Sequence, residues 1–174
     1  MVFDLDGTLI DSRRDLADSA NTLLAQCGCG PLAEEAIGAM VGDGAAVLVE
    51  RAFAAAGCAQ PADALERFLD IYESRLLKFT KPYERIPDVL AALSARASLA
   101  VLTNKPFAAT TRILDGLGLG GHFAPSRIIG GDGPFPRKPD PAGLLHLIAH
   151  AGVGPRETVL IGDSMVDRRT AGAA

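Results

Sequence analysis

Residues 2–8 read VFDLDGT, and the fold turns on how this heptapeptide is taken. Val2 and Phe3 suit a buried strand, and the run closes on two aspartates separated by one leucine. Asp4 and Asp6 can serve one site where the strand ends or bends, and Gly7 permits the bend. At such a strand end Asp4 is placed to act as a nucleophile toward phosphorus, giving an acyl phosphate. Asp6, two positions on, is placed to give the leaving group its proton. Taken alone, D-x-D-G also describes an Asx turn. An EF-hand loop is excluded, because Gly7 comes too early and the loop ends without a bidentate Glu.

Working outward, three more short apolar runs occupy residues 99–103, 127–130 and 158–162, each followed by polar or glycine-rich sequence. With residues 1–4 they alternate with helical stretches, which predicts a parallel α/β sheet covered on both faces. In such sheets ligands bind beyond the carboxyl ends of the strands, so the strand endings are where chemistry is expected. The last run ends in Ile161-Gly162-Asp163-Ser164, with Asp167 one turn further on if a helix starts at Asp163. Two acidic strand ends facing one crevice repel each other, and a hard divalent cation with oxygen ligands, Mg²⁺, relieves this. A helix N-cap followed by a surface acid is the simpler alternative.

A phosphate dianion also needs positive partners. Lys138 precedes Pro139-Asp140-Pro141, where the prolines restrict the backbone and give the lysine a reproducible direction. After the second strand, Thr103-Asn104-Lys105 offers a hydroxyl, an amide and backbone donors to phosphate oxygens. Further along, Asp140 is expected to cap a helix opened by Pro141 and stopped by Gly152, and residues 88–97 form another helix.

Nearly 90 residues separate the first two strands, too many for one crossover helix, and they carry almost no strand signal. An inserted helical subdomain is expected. Ser12 with Asp15 three residues later suggests a capping box for a helix carrying Leu16, Ala20, Leu23, Leu24 and Cys27 on one face and ending at Gly28. Further helices are expected at 33–40, 43–56 and 61–79, the last with a stripe of Leu65, Phe68, Leu69, Tyr72 and Leu76. Four such helices can pack as a small bundle. The domains are thus 1–12 with 82–174 for the core and 13–81 for the insertion, joined by hinges within 11–14 and 80–85.

The composition restricts the function classes. With 48% hydrophobic and 22% charged residues the chain is an ordinary globular mixture, and a net charge of -4 with a pI near 5.3 argues against nucleic-acid partners. No apolar stretch reaches the roughly 18 to 20 residues of a membrane span. Cys27, Cys29 and Cys58 are odd in number and lack zinc-site spacing, so reduced thiols in a cytoplasmic protein are expected. His146 and His150, four apart, read as a solvated helix face, and Gly116, Gly118, Gly120 and Gly121 as a helix end.

Taken in order, DLDGT at 4–8, Thr103, Lys138 and GDSMVD at 162–167 resemble the four motifs of the haloacid dehalogenase superfamily. The resemblance implies a Rossmann-like parallel sheet core. It also implies Asp4 as the phosphorylated nucleophile, Asp6 as acid/base, and Thr103 and Lys138 on the phosphate. For the Mg²⁺ it implies the Asp4 and Asp163 carboxylates and the Asp6 carbonyl, with Asp167 in support directly or through water. The insertion is similar to a C1 cap. Its residues 40–52 (MVGDGAAVLVERA), Lys81-Pro82-Tyr83 and IIGGDGPFPRKPDP resemble phosphoglycolate phosphatases. Gly42 and Gly44 allow a tight loop, so Gly42, Asp43 and Gly44 are candidate substrate contacts beside Thr8, Asn104, Thr103 and Lys138. An equally plain reading is a turn between two helices. Arg51 and Lys81 could pair with a carboxylate, although solvent exposure is the commoner fate of such residues.

The family continues through at least another strand and helix beyond the position of Ala174, so the C-terminal part of the core is expected to be missing from this chain. The expected activity is hydrolysis of a small phosphorylated metabolite, 2-phosphoglycolate first, by a monomer or homodimer. A phosphosugar mutase, a dehalogenase and a phosphoacceptor or phospholigand-binding pseudo-enzyme are the alternatives. Asp6 speaks against the dehalogenase, and Thr8 resembles the phosphatase form of the first motif more than the mutase form.

Overall fold

The computed structural model describes Met1–Ala174, which form two compact units. One is Ser12–Thr80; the other combines Met1–Asp11 with Lys81–Ala174.

Ser12–Thr80 is helical: α1 (Arg13–Gln26), α2 (Glu34–Gly38), α3 (Ala45–Ala55) and α4 (Ala64–Glu73). Apolar residues at helical spacing supply its interior. Leu16, Ala20, Leu23 and Leu24 of α1, Leu48, Val49, Ala52 and Phe53 of α3, and Phe68 and Tyr72 of α4 are buried. Phe68 stacks on Tyr72 at 5.9 Å between ring centroids. The helix expected at 61–79 is shorter, because α4 ends at Glu73 and the chain runs on in turns. The helix expected at 33–40 likewise shrinks to the five residues of α2.

Two further expectations for this unit are corrected. Cys29 and Cys58 are joined in a disulfide, and only Cys27 is a free thiol. The pairing was invisible along the chain because the two cysteines lie 29 residues apart and meet only through helix packing. The capping box at Ser12 does not form either, since the Ser12 side chain makes no cap hydrogen bond. The Asp15 carboxylate turns instead to the far end of the unit. There its Oδ2 accepts from the backbone N–H of Phe79 at 2.8 Å and of Thr80 at 2.7 Å, and from the Thr80 hydroxyl at 2.8 Å.

The second unit holds β1 (Val2–Phe3), β2 (Ile10–Asp11), β3 (Lys81–Pro82), β4 (Ala100–Leu102), β5 (Ile128–Ile129) and β6 (Leu160–Ile161). Its helices are α5 (Ile86–Ser94), α6 (Phe107–Gly116), α7 (Ala142–Ala151) and α8 (Met165–Ala173). The main sheet is parallel with order β5-β4-β1-β6, so β1 is central. Each expected strand is present in shortened form. The antiparallel pair β2–β3, with Ile10 opposite Pro82 and Asp11 opposite Lys81, was not foreseen, because two-residue strands carry no periodicity.

Alternation along the strands sorts the core. Val2, Ala100 and Leu102 pack with Ile129 and with Leu144, Leu147 and Ile148 of α7. From the neighbouring position Phe3 meets Phe123 edge-on at 6.4 Å. Gly143 allows α7 to lie close to β4, since a Cβ there would stand 2.8 Å from Leu102 Cδ1. Helix α7 starts one residue after Pro141, and Asp140 Oδ1 accepts from the Ala142 N–H at 2.9 Å, while Gly152 closes the helix in the left-handed region. Helix α5 starts at Ile86, two residues before the expected Asp88, behind the left-handed Arg85. No helix of the structure is long and apolar enough to cross a membrane.

Candidate active site

The heptapeptide that opens the chain leaves the sheet early. β1 ends at Phe3, and Asp4 follows with its N–H still donating to Ile161 of β6 at 2.9 Å. The chain then folds into a tight turn in which the Leu5 carbonyl accepts from Thr8, Leu9 and Ile10. Leu5, Leu9 and Ile10 are fully buried, anchoring the turn, and Gly7 adopts φ +85°. Gly7 has a second reason to lack a side chain: a Cβ there would collide with the Asp163 carboxylate. Gly162 is constrained in the same way, because its Cβ would run into Asp167. Two glycines thus let the acidic ends of β1 and β6 close on each other.

Asp4, Asp163 and Asp167 each bring a carboxylate oxygen within 4.8 Å of the others. Asp4 and Asp167 are buried, and Asp163 is more open. Helix α8 begins after Asp163, not at it, and Ser164 is the N-cap. The Ser164 hydroxyl donates to Asp167 Oδ2 at 2.6 Å, and the Ser164 N–H does so at 3.1 Å. Asp163 therefore reaches Asp167 from the loop before the helix, and helical i, i+4 spacing plays no part.

Lys138 is buried and places its Nζ 2.8 Å from Asp4 Oδ1 and 2.5 Å from Asp167 Oδ1. Its carbonyl accepts from the Asn104 side-chain amide at 3.0 Å, and the Lys138–Pro139 peptide is cis. That amide, expected to face a substrate, thus holds the lysine's loop. Burial raises the Asp4 carboxyl to about 6, against the pull of the Lys138 ammonium. Burial also raises Asp163 above its usual value.

Thr103 is buried directly after β4, and its Oγ1 accepts from the Lys105 N–H at 3.2 Å. The Thr8 hydroxyl oxygen is buried in the turn after β1 and has no hydrogen-bond partner within the protein. The Asp6 carboxylate is not part of the three-aspartate group. It faces Lys105, whose Nζ lies 2.9 Å from Oδ1 and 3.0 Å from Oδ2. Sequence reasoning noted Lys105 only as part of a phosphate-facing tripeptide and missed this pairing. Its one signal was a lysine three residues past the end of β4.

Gly42, Asp43 and Gly44 belong to the helical unit, in the turn leading into α3, with φ of +120° at Gly42 and +94° at Gly44. Arg51, expected to be solvated, pairs with Asp43 at 2.6 Å while staying partly exposed.

The donor set suits a hard cation. Three carboxylates converge and all the ligand atoms are oxygens, the donor chemistry a hard divalent cation takes.

A parallel α/β sheet whose strand ends gather aspartates and a buried lysine defines a hydrolase class, and the whole chain, residues 1–174, matches the model of that class. The chain belongs to the haloacid dehalogenase-like hydrolases. Among its relatives, a phosphoglycolate phosphatase of Rhodospirillum rubrum is 42% identical over 183 aligned residues, covering 100% of this chain and 75% of the relative. One from Caulobacter vibrioides is 40% identical, with coverages of 96% and 72%. A solved structure described as a predicted phosphoglycolate phosphatase from Haemophilus somnus 129PT superimposes with a TM-score of 0.92 at 31% identity. It covers 99% of this chain and 80% of that one.

Proposed function

We propose that the chain is a Mg²⁺-dependent phosphomonoester hydrolase that works through an aspartyl phosphate on Asp4, with 2-phosphoglycolate as its substrate. The observation that carries this reading is the buried Lys138 bridging Asp4 and Asp167, whose carboxylate oxygens lie within 4.8 Å of one from Asp163. Relatives about 40% identical bear the name phosphoglycolate phosphatase, which supports the choice of substrate.

Asp4 and Asp163 would hold the metal through carboxylates and Asp6 through its carbonyl, with Asp167 in support. Bound there, the ion would offset phosphate charge and the mutual repulsion of the aspartates. An Asp4 oxygen attacks phosphorus while the bond to the leaving alkoxide breaks, and the alkoxide takes the proton of the Asp6 carboxyl. Water then attacks phosphorus, the Asp4–phosphorus bond breaks, and the water's proton passes to Asp6. Thr103 and Lys138 supply donors to the phosphate oxygens.

The helical unit Ser12–Thr80 is assigned the role of cap, and Gly42, Asp43 and Gly44 the selection of the leaving group. The strand ends supply only phosphate, metal and nucleophile contacts, so selection has to arise elsewhere. A cytoplasmic setting fits this substrate.

Hydrolysis of 2-phosphoglycolate with and without EDTA, in wild type, Asp4→Asn and Asp163→Ala, tests the reading. Asp4→Asn should lose at least about a hundredfold in kcat while folding normally, and Asp163→Ala should need far more Mg²⁺. Asp4→Asn retaining more than about a hundredth of the activity would overturn the nucleophile assignment.

A further inference from the structure

Lys105 is set in a place that phosphate binding alone does not explain. Its side chain is 4% exposed, and its Nζ reaches both oxygens of the Asp6 carboxylate within 3.0 Å. A buried ammonium is costly unless paired, so a lysine at this depth is built in with its partner.

The backbone carrying Lys105 is braced from several sides. The Lys105 carbonyl accepts from the Gly131 N–H at 2.8 Å, and the Phe107 N–H donates to Asp132 Oδ1 at 2.7 Å. Gly130 and Gly131 lack side chains where a Cβ would strike the backbone of Phe107 and of Asn104. The Arg137 Nε in turn donates to the Gly131 carbonyl at 2.7 Å. The loop after β5 thus fixes the loop after β4, and Lys105 leaves it from a defined point.

Two buried lysines pair with three of the four aspartates of the site. Lys138 takes Asp4 and Asp167, the nucleophile side, and Lys105 takes Asp6, the side proposed to move the proton. We infer that Lys105 is a positioning residue for Asp6: its ammonium holds the ionised carboxylate by both oxygens beside the leaving oxygen, and one of those oxygens gives up that contact when it carries the proton that passes to the leaving group. This inference rests on the proposed roles of Asp4 and Asp6 and adds a residue to them.

The roles can be separated by leaving group. An alkoxide such as glycolate must be protonated as it departs, whereas 4-nitrophenolate leaves without that help. The experiment compares kcat/KM for 2-phosphoglycolate, ethyl phosphate and 4-nitrophenyl phosphate in wild type, Asp6→Asn, Lys105→Met and Lys105→Arg at saturating Mg²⁺. The parameter kcat/KM reports the steps through phosphorylation of Asp4, and the ratio between substrates is independent of how much enzyme is folded.

In Lys105→Met both alkyl esters should fall at least about tenfold relative to 4-nitrophenyl phosphate, matching the direction seen in Asp6→Asn, and Lys105→Arg should recover most of that ratio. An equal loss for all three substrates would mean that Lys105 serves phosphate binding or stability, overturning the inference while leaving the phosphatase reading intact. A loss confined to 2-phosphoglycolate would make Lys105 a reader of the substrate carboxylate and also overturn it. If Asp6→Asn leaves the wild-type ratio unchanged, the acid role of Asp6 fails, and the inference fails with it.

Discussion

At Asp4 two opposing influences act on one carboxyl group. Burial favours the neutral acid, the Lys138 ammonium at 2.8 Å favours the carboxylate, and burial prevails, taking the group to about 6. A carboxyl raised in the folded state binds more protons there than in the unfolded chain. In metal-free protein its ionised form therefore weakens the fold above about pH 6, and this cost is relieved as the pH falls toward the ordinary carboxyl value of 3.8. The stability of Asp4→Asn relative to wild type, measured by urea unfolding in EDTA, should accordingly be greatest near pH 7.5. That advantage should shrink by roughly 3 kcal/mol at most on going to pH 4. A difference independent of pH would show that Asp4 carries no such shift.

Among the elements, α1 shows how one acidic residue can tie the two ends of a unit together. Asp15 is fully buried near the start of α1, and its Oδ2 gathers the N–H groups of Phe79 and Thr80 and the Thr80 hydroxyl. Replacing it with alanine strands these donors in or near the interior, so Asp15→Ala should cost about 3 kcal/mol or more in chemical denaturation. Thr80→Val, which removes only the hydroxyl contact, should cost about 1 kcal/mol. Equal small effects would mean that water replaces the carboxylate freely. The reach of Asp15 to Thr80 spans 65 positions, which is why the sequence pointed only to the local alternative, a capping box with Ser12. Such boxes depend on neighbours within one turn. The Ser164–Asp167 box at the start of α8 does form, with both partners inside that turn.

For the whole molecule, the assignment of leaving-group selection to the turn before α3 makes a separate prediction. Gly42 has φ +120°, which a β-branched residue adopts only with strain. Gly42→Val should therefore lower kcat/KM for 2-phosphoglycolate much more, by about tenfold or greater, than for acetyl phosphate, measured at saturating Mg²⁺. Equal losses with an unchanged thermal midpoint would remove the turn from substrate selection.

The sequence by itself determined the parallel α/β core, its four strands, the helical character of the insertion at 13–81, and the placing of Asp4, Asp6, Thr103 and Asp163 at or just after strand ends, with Lys138 directly before Pro139 and Asp167 four residues after Asp163. These follow from apolar runs, helical spacing and the glycines and prolines that end them, all signals carried within a few residues. The tertiary structure alone decided the partners. The order β5-β4-β1-β6 sets β1 between β4 and β6, which brings Lys105 to Asp6 across 99 positions and Lys138 to Asp167 across 29. Helix packing likewise joined Cys29 to Cys58. Which buried charge faces which depends on strand order and loop bracing, since a buried lysine must find a carboxylate wherever the fold places one.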